Sequence, residues 1–403
     1  MDQWKTTCLV VGGGPAGMML GYLLARSGVQ TIVAEKHGDF FRDFRGDTVH
    51  PSTTELLDEL GLLDEFLTQV PHQKVQQLGI GFKGQTFDLI DFRHLPTACK
   101  YVAFMPQWDF LNFLAAQAAR YPSFRLEMDT EATGLLRQGD RITGVTAQTP
   151  GGPVEIHADV TVACDGRWSI VRDQSGLPLK EFRMPIDVLW FRLPHGESAP
   201  EALGYLGAGQ IILAINRGDY WQCGAIIEKG AFERVRAEGL AAFRSKVAAV
   251  APFLATSLNA LTDWEQVRLL SVRANRLQRW WLPGLLCIGD AAHAMSPVGG
   301  IGVNYAIADA VAAANALARP LREGQVSDHD LRAAQRRRNP PTRLAQFLQG
   351  AQTANLARMS KVDPPLWMLR LLSRSSLIKR MLGRIMGLGF RREHIHTSEQ
   401  PAK

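Results

Sequence analysis

Six residues near the start of the chain, Gly12-Gly13-Gly14-Pro15-Ala16-Gly17, follow an apolar run from Thr6 to Val11 and precede a run from Met18 to Arg26 that is uncharged until its last residue. The arrangement predicts a buried strand, a tight turn and a helix. A second strand, Thr31 to Ala34, then ends at Glu35. A Gly-x-Gly-x-x-Gly run with a strand before it, a helix after it and an acid about 20 residues on is the fingerprint of a dinucleotide-binding βαβ unit. Gly12 permits the turn, Gly14 lets the backbone approach a pyrophosphate, and Gly17 lets helix and strand lie close. After the turn that carries Pro15 and Ala16, the helix N-terminus offers free N–H groups to the phosphates, and Glu35 can accept from ribose hydroxyls. An acid at position 35 opposes a 2′-phosphate, because two anions would meet. The nucleotide is therefore FAD or NAD rather than NADP, and the fingerprint alone leaves those two open.

The 403 residues exceed what one core usually serves. A composition of 46% apolar and 21% charged residues is too apolar for a disordered chain. Helical periodicity is expected at Ser52 to Gly61, at Trp108 to Arg120 and from about 303 almost to the end. Hairpins are expected at Gln138-Gly139-Asp140 and Gly151-Gly152, and apolar strands at His157 to Cys164 and Leu285 to Ile288. Two β-rich stretches, about 77–104 and 181–282, interrupt the strand-turn-helix pattern; the second carries strands such as Asp187 to Leu193, Ile211 to Asn216 and Trp221 to Ile227, and a helical interruption from Phe232 to Val250. The fold class is therefore α/β, a Rossmann-like doubly wound domain with an inserted β-sheet and a helical C-terminal region. The expected division is 1–76, 105–180 and 283–330 for the nucleotide domain, 77–104 and 181–282 for the sheet domain, and 331–403 for the tail.

Five scattered cysteines, at 8, 99, 164, 223 and 287, form no CxxC pair. They suit a reducing compartment, with no metal site and no disulfide framework. The long uncharged stretches 6–25 and 291–308 contain glycine clusters and prolines that suit turns better than a membrane helix. A cytoplasmic protein is expected. The net charge of +6 is uneven: residues 331–392 carry a surplus of 13 positive charges, leaving −7 for the remainder.

Cys164-Asp165-Gly166 and Gly289-Asp290-Ala291-Ala292-His293 each place an aspartate just after an apolar strand. Ligands of open α/β sheets lie at the carboxyl ends of strands, so both acids could face a cofactor, although Asp is also a common helix cap. Pro297-Val298-Gly299-Gly300-Ile301-Gly302-Val303-Asn304 then leads into an Ala-rich helix. Its consecutive N–H groups and helix N-terminus suit a delocalised negative charge, such as that of a reduced flavin.

With these three elements in this order, the sequence from residue 5 to about 350 resembles the single-component FAD-dependent aromatic hydroxylases, which include 4-hydroxybenzoate hydroxylase and the ubiquinone-pathway hydroxylases. The resemblance implies that Asp290 and Gly289 serve the ribityl chain of FAD, that Asp165 and Gly166 serve both FAD and a passing nicotinamide nucleotide, and that Pro297, Gly300, Gly302, Val303 and Asn304 surround the ring. It further implies FAD contacts at Lys36, Arg45 and Gln107. The implied activity is a monooxygenase: NADH or NADPH reduces FAD, O2 adds to form a C4a-hydroperoxyflavin, and an aromatic, quinone-like or polyketide substrate is hydroxylated. Gly204-x-x-Gly207-x-Gly209 leads into a strand, so no second nucleotide domain is expected. Two other uses stay open: an FAD-dependent reductase without oxygen insertion, like the prenyl reductases, and a flavin redox sensor. A halogenase is disfavoured, because Trp280-Trp281-Leu282-Pro283 does not match the WxWxIP pattern of that group.

Trp190, Arg192, Tyr205, Arg217 and Trp221 are the expected lining of a substrate cavity roofed by the inserted sheet. No catalytic base is evident; His50, His72 and His293 are candidates without distinguishing support. In the tail, Trp367, Leu371, Leu372, Ile378, Met381, Leu382 and Ile385 recur at helical spacing among arginines and lysines. Such a basic amphipathic helix could lie on an anionic membrane surface, or pack across its own domains or onto a second copy in a homodimer; packing is the favoured reading. Nucleic acid is not an expected partner, since no binding module is present.

Overall fold

The computed structural model describes residues 2–41, 48–195, 203–359 and 362–400. Its principal sheet is built on Asp2–Val11, which pairs in parallel with Thr31–Ala34 on one side and Gly152–Ala163 on the other. Phe124–Glu127 extends the first side, and Leu285–Cys287 the second. The register aligns the strand ends, with Val11 opposite both Ala34 and Ala163, and Ala163 opposite Cys287. The turns after Val11, Ala34, Ala163 and Cys287, which the sequence singles out, therefore leave the same end of one sheet. These strands read as continuous apolar runs because helices cover both faces. Cys8, Cys164 and Cys287 are buried among them, and burial pushes the Cys8 thiol up to about 12, the behaviour of an inert small hydrophobe.

The first helix, Pro15–Arg26, is buried along almost its whole length. It packs against Gly302–Arg322, the Ala-rich helix. Among the described residues one helical segment, Val298–Arg322, is long and apolar enough to cross a bilayer. Two-thirds of its apolar window (67%) is buried inside the protein, as in a core helix. The hairpins form where the glycines predicted them, with Gln138 opposite Arg141 and Thr149 opposite Gly152. Elements not read in the sequence include the helices Leu63–Gln69 and Ile170–Ser175, the strand Phe124–Glu127, and the short strands Thr48–Val49 and Gln73–Val75, which pair with Val102–Phe104 in a small sheet.

Both β-rich insertions feed one seven-stranded sheet, joined where Gly204–Gly207 runs parallel to Gln77–Phe82. Its two faces alternate with the strand period of two. Leu189, Phe191, Ile212, Trp221 and Cys223 form a core with Phe243 and Val247 of the helix Leu240–Val250. Val188, Trp190 and Ile215 face the opposite way, toward Phe92, Phe104 and Leu388.

The tail is a 32-residue helix, Asp328–Met359, followed by Leu366–Arg374 and Ser376–Leu388. The last two bury Leu369, Gly383, Gly387 and Leu388 against the protein while leaving Trp367, Leu371, Leu377 and Met381 exposed. The chain is anchored by a fully buried carboxylate. Asp309 accepts from the backbone N–H of Gly289 at 3.0 Å, from His293 Nε2, and from Arg338 Nε at 2.8 Å. Arg338 also donates to Glu393 Oε1 at 3.2 Å, and Arg337 Nε donates to the same oxygen at 2.8 Å. Burial by itself would raise the Asp309 carboxyl, but His293 and Arg338 hold it below its ordinary value. Removing one partner of a buried charge network strands the other, so Asp309→Ala should destabilise the protein by about 3 kcal/mol or more. Urea denaturation of wild type and variant, compared at fixed FAD concentration, measures that loss.

Candidate functional site

The turn after Asp2–Val11 satisfies three separate demands. Gly12 has φ +104°, and a Cβ there would lie 2.5 Å from the Cys164 carbonyl oxygen. At Gly17 a Cβ would lie 1.9 Å from the Gly12 oxygen. These glycines are required by the fold itself. Gly14 differs, for its backbone is extended at φ −72° and ψ −175° and no protein atom lies within 4 Å of its would-be Cβ. Neither conformation nor packing asks for glycine there, and the open space lies at the N-terminus of Pro15–Arg26. Glu35, buried at the end of Thr31–Ala34, accepts from the N–H groups of Gly13 (2.8 Å) and His37 (3.1 Å), so its carboxylate is fixed beside the turn. Lys36 is exposed next to it.

A cleft of about 370 Å³ opens alongside, lined by Gly38, Phe40, Phe41, Trp108, Leu126 and Met128 among others. Gln107 begins the helix Gln107–Ala118, one residue before Trp108. Arg45 lies outside the described residues.

The Asp-Gly turn after Gly152–Ala163 holds Asp165, whose Oδ2 accepts from the Val171 N–H at 3.2 Å. Its Oδ1 is buried without a hydrogen-bond partner in the protein. Burial raises this carboxyl from its ordinary value. An orphaned carboxylate oxygen costs free energy unless a ligand donor meets it. Arg172 links this turn to the neighbouring one, donating to the carbonyls of Arg167 (3.2 Å) and Ala291 (3.4 Å). Across the same gap Arg167 pairs with the half-exposed Asp290 at 3.4 Å. Gly289, at φ +58°, lies close between two helices, since a Cβ there would lie 3.2 Å from Ala16 Cβ and 3.3 Å from Ala306 Cβ.

The glycine-rich loop is pinned by Thr48, which donates to the Gly300 carbonyl at 3.0 Å. Gly300 is at φ +62°, and Gly302, the first residue of its helix, has open space where a side chain would sit. Pro297 and Val303 flank the loop and are half-buried. Asn304 is differently employed. Its Oδ1 accepts from the His50 N–H and Thr53 Oγ1, both at 2.8 Å, and its Nδ2 donates to the Thr48 and Gly300 carbonyls. All four side-chain bonds are used inside the protein, which leaves only its backbone for a ligand.

The roof residues divide by strand alternation. Trp190 lies on the face toward the glycine-rich loop, and Arg192 and Arg217 follow the same alternation, with Arg217 Nε donating to the buried Gln222 at 3.1 Å. Tyr205 and Trp221 lie on the other face, with ring centroids 4.9 and 5.3 Å from Phe253. They are sheet core beneath the helices, and the expectation that they line the cavity is corrected. Of the histidines, His293 serves the Asp309 network. His72 packs between Phe66 and Tyr101. His50 is fully buried, and its Nδ1–H donates to the Met386 carbonyl at 2.8 Å, leaving Nε2 bare. Burial lowers its pKa to about 4. Sequence reasoning missed Asp309, Arg338 and Glu393, since an acid in an Ala-rich helix and an arginine in a basic run reveal nothing of their separate partners. Among the described residues no cluster of His, Cys, Asp and Glu could hold a metal ion.

The family profile described as FAD binding domain matches residues 5–347. The chain is 31% identical over 389 residues to the 6-methylpretetramide 4-monooxygenase of Streptomyces rimosus, covering 95% of this chain and 93% of that protein. It spans 60–63% of the length of three further curated relatives. Among solved structures it is similar to the OxyS anhydrotetracycline hydroxylase of Streptomyces rimosus, with a TM-score of 0.78 at 22% identity, covering 98% of this chain and 78% of that one. It is also similar to PqsL of Pseudomonas aeruginosa in complex with 2-aminobenzoylacetate, with a TM-score of 0.75 at 22% identity, covering 88% and 97%. These two likenesses establish the fold.

The buried His50 gives the site a pH dependence of known sign. Its folded pKa lies below the unfolded one, so the unfolded state binds more protons between about pH 6.5 and 4, and stability is lost as pH falls through that window. His50→Asn keeps a donor toward the Met386 carbonyl and removes the titration. Thermal midpoints recorded from pH 7 to 4 should fall less steeply in the variant.

Proposed function

The chain belongs to the FAD-binding-domain family, and from that membership we propose that it is a monooxygenase that uses NAD(P)H and O2 to hydroxylate a fused-ring aromatic polyketide. The observation that carries the substrate class is the end-to-end match to a 6-methylpretetramide 4-monooxygenase, which spans tail and insertions as well as the nucleotide domain.

The residues present fit FAD. The open position at Gly14 and the helix N-terminus behind it would take the pyrophosphate, with Pro15 and Ala16 opening that helix. Glu35, fixed beside the turn next to Lys36, would receive the adenosine ribose, and the cleft lined by Phe40 and Trp108 would take the adenine, with Gln107 preceding Trp108 at the start of its helix. Asp290 would hold the ribityl hydroxyls, and the orphaned Asp165 oxygen and Gly166 face the same strand-end gap. The Gly302 and Val303 amides, at the N-terminus of a 21-residue helix, would stabilise negative charge on the ring, with Gly300 turning the loop ahead of them. Bound FAD supplies the redox and oxygen-transfer chemistry, while the protein supplies position, electrostatics and exclusion of water.

Opposite the loop, Val188, Trp190 and Ile215 offer an apolar ceiling for fused rings. Arg192, Arg217 and Gln222 place polar groups at one end of it, suited to the phenol and enol oxygens of a polyketide. Among the described residues the sheet segment Gly204–Gly207 pairs with Gln210–Asn216 as a hairpin, so its glycines build a turn and not a nucleotide site. The reductant would accordingly bind transiently at the FAD edge. Purified protein should oxidise NAD(P)H faster with a polycyclic phenol present and yield a product containing one atom from labelled O2. Tight FAD with no oxidation across a broad panel of such phenols overturns the reading.

The cofactor assignments are tested by two variants. Gly14→Val should weaken FAD about tenfold or more and leave apoprotein stability unchanged, because the new side chain meets only ligand space. Asp290→Ala should likewise bleach the purified protein. FAD dissociation constants from fluorescence quenching, with apoprotein melting as the control, decide both.

A further inference from the structure

The sequence Gly383-Arg384-Ile385-Met386-Gly387 sits in the last helix, Ser376–Leu388, with its glycines one turn apart. A Cβ on Gly383 would lie 2.1 Å from the Asp91 carbonyl oxygen, and one on Gly387 would lie 2.7 Å from Leu95 Cδ1. The helix thus meets the backbone of the inserted sheet's edge strand Gln85–Asp91 at Gly383, a contact that admits no side chain, and packs at Gly387 against the Phe92 and Leu95 side chains of the turn after it. This close approach positions Met386. Its carbonyl takes the His50 Nδ1–H, and its side chain joins the apolar cluster containing Trp190, Val188 and Ile215 on the sheet's inner face. The Met386 methyl carbon lies 3.9 Å from where a side chain on Gly299, in the glycine-rich loop, would begin.

Three separately built parts therefore converge on one thioether: the loop proposed to face the flavin, the ceiling proposed to face the substrate, and the tail. We propose that Met386 is a specificity-determining residue, a wall that sets how many fused rings the space between flavin loop and sheet admits. This rests on the polyketide reading above. A methionine is suited to the role because its unbranched, polarizable side chain conforms to flat aromatic surfaces. The glycine pair behind it keeps the wall from retreating when a larger ligand enters.

The holoenzyme is titrated with 1-naphthol, the tricyclic alizarin and the tetracyclic anhydrotetracycline, and binding is read from the change in the flavin spectrum. Met386→Trp should weaken anhydrotetracycline about tenfold or more while leaving 1-naphthol within about twofold. Met386→Ala should leave anhydrotetracycline bound at least as well as in wild type and weaken 1-naphthol, which loses its contact. It provides an independent arm should the tryptophan variant fail to fold. Met381→Ala, on the exposed face of the same helix, should change neither. Equal shifts for all three ligands, or none, in both Met386 variants would overturn the wall while leaving the polyketide reading intact. Failure of the wild-type flavin spectrum to respond to any of the three would overturn that reading and the wall with it.

Discussion

The interaction on which the rest depends is the placement of one carboxylate, Asp309, in the middle of the Ala-rich helix. A lone ionised acid at zero exposure would be very costly. Here it is offset by three donors: the Gly289 amide and the His293 ring from one turn, and the Arg338 guanidinium from the long C-terminal helix. Each donor fixes something different. The amide sets the turn that presents Asp290, the histidine packs against Trp280 with ring centroids 4.9 Å apart, and the arginine draws the long C-terminal helix onto the core. Buried ion pairs are weak stabilisers compared with apolar replacements, but they are strict about geometry. Strict geometry of this kind suits a turn proposed to meet a cofactor.

The second constraint is the common register of the parallel strands. Because Val11, Ala34, Ala163 and Cys287 end in line, the glycine turn, Glu35, Asp165 and Asp290 emerge together, although Gly12 and Asp290 are 278 residues apart in sequence. Binding an anionic dinucleotide on a body with a net charge of −7 then falls to local dipoles and open backbone, not to the overall field. Gly14 and Gly302 show the division of labour. They are glycines the protein does not need for itself, whereas Gly12 and Gly17 are demanded by contacts of 2.5 Å or less.

Much of this was legible beforehand, for physical reasons. Fully buried strands and glycine turns are local patterns, so the first βαβ unit, both hairpins and the two later strand ends could be read directly. Which face of a strand meets which neighbour is not local. Tyr205 and Trp221 alternate like cavity residues, and only the helices packed beneath them make them core. Asn304 looked like a ligand contact because it follows a glycine loop, yet its amide is consumed tying that loop to Thr48, His50 and Thr53. Short strands such as Thr48–Val49 carry too few residues to show a period at all.

The tail illustrates the same limit for charge. Its positive surplus reads as one basic face, but depth separates it into two populations. Arg337 and Arg338 are paired with Glu393, and Arg338 with Asp309 as well. Arg370, Arg374, Arg380 and Arg384 stay outside among exposed apolar residues. The apolar spacing of the last two helices likewise conceals that small residues, Gly383 and Gly387, make the closest approach while Trp367 points to solvent at 69% exposure. The family profile ends at residue 347, before Glu393 and before Met386. The network that locks Asp309 and the wall beside Gly299 are both completed by residues beyond that limit. The strand-end turns and the glycine-rich loop are therefore not finished by the residues around them: Arg338, which meets Asp309, comes from the long C-terminal helix, Met386 beside Gly299 from the last helix, and Glu393 from the segment that follows.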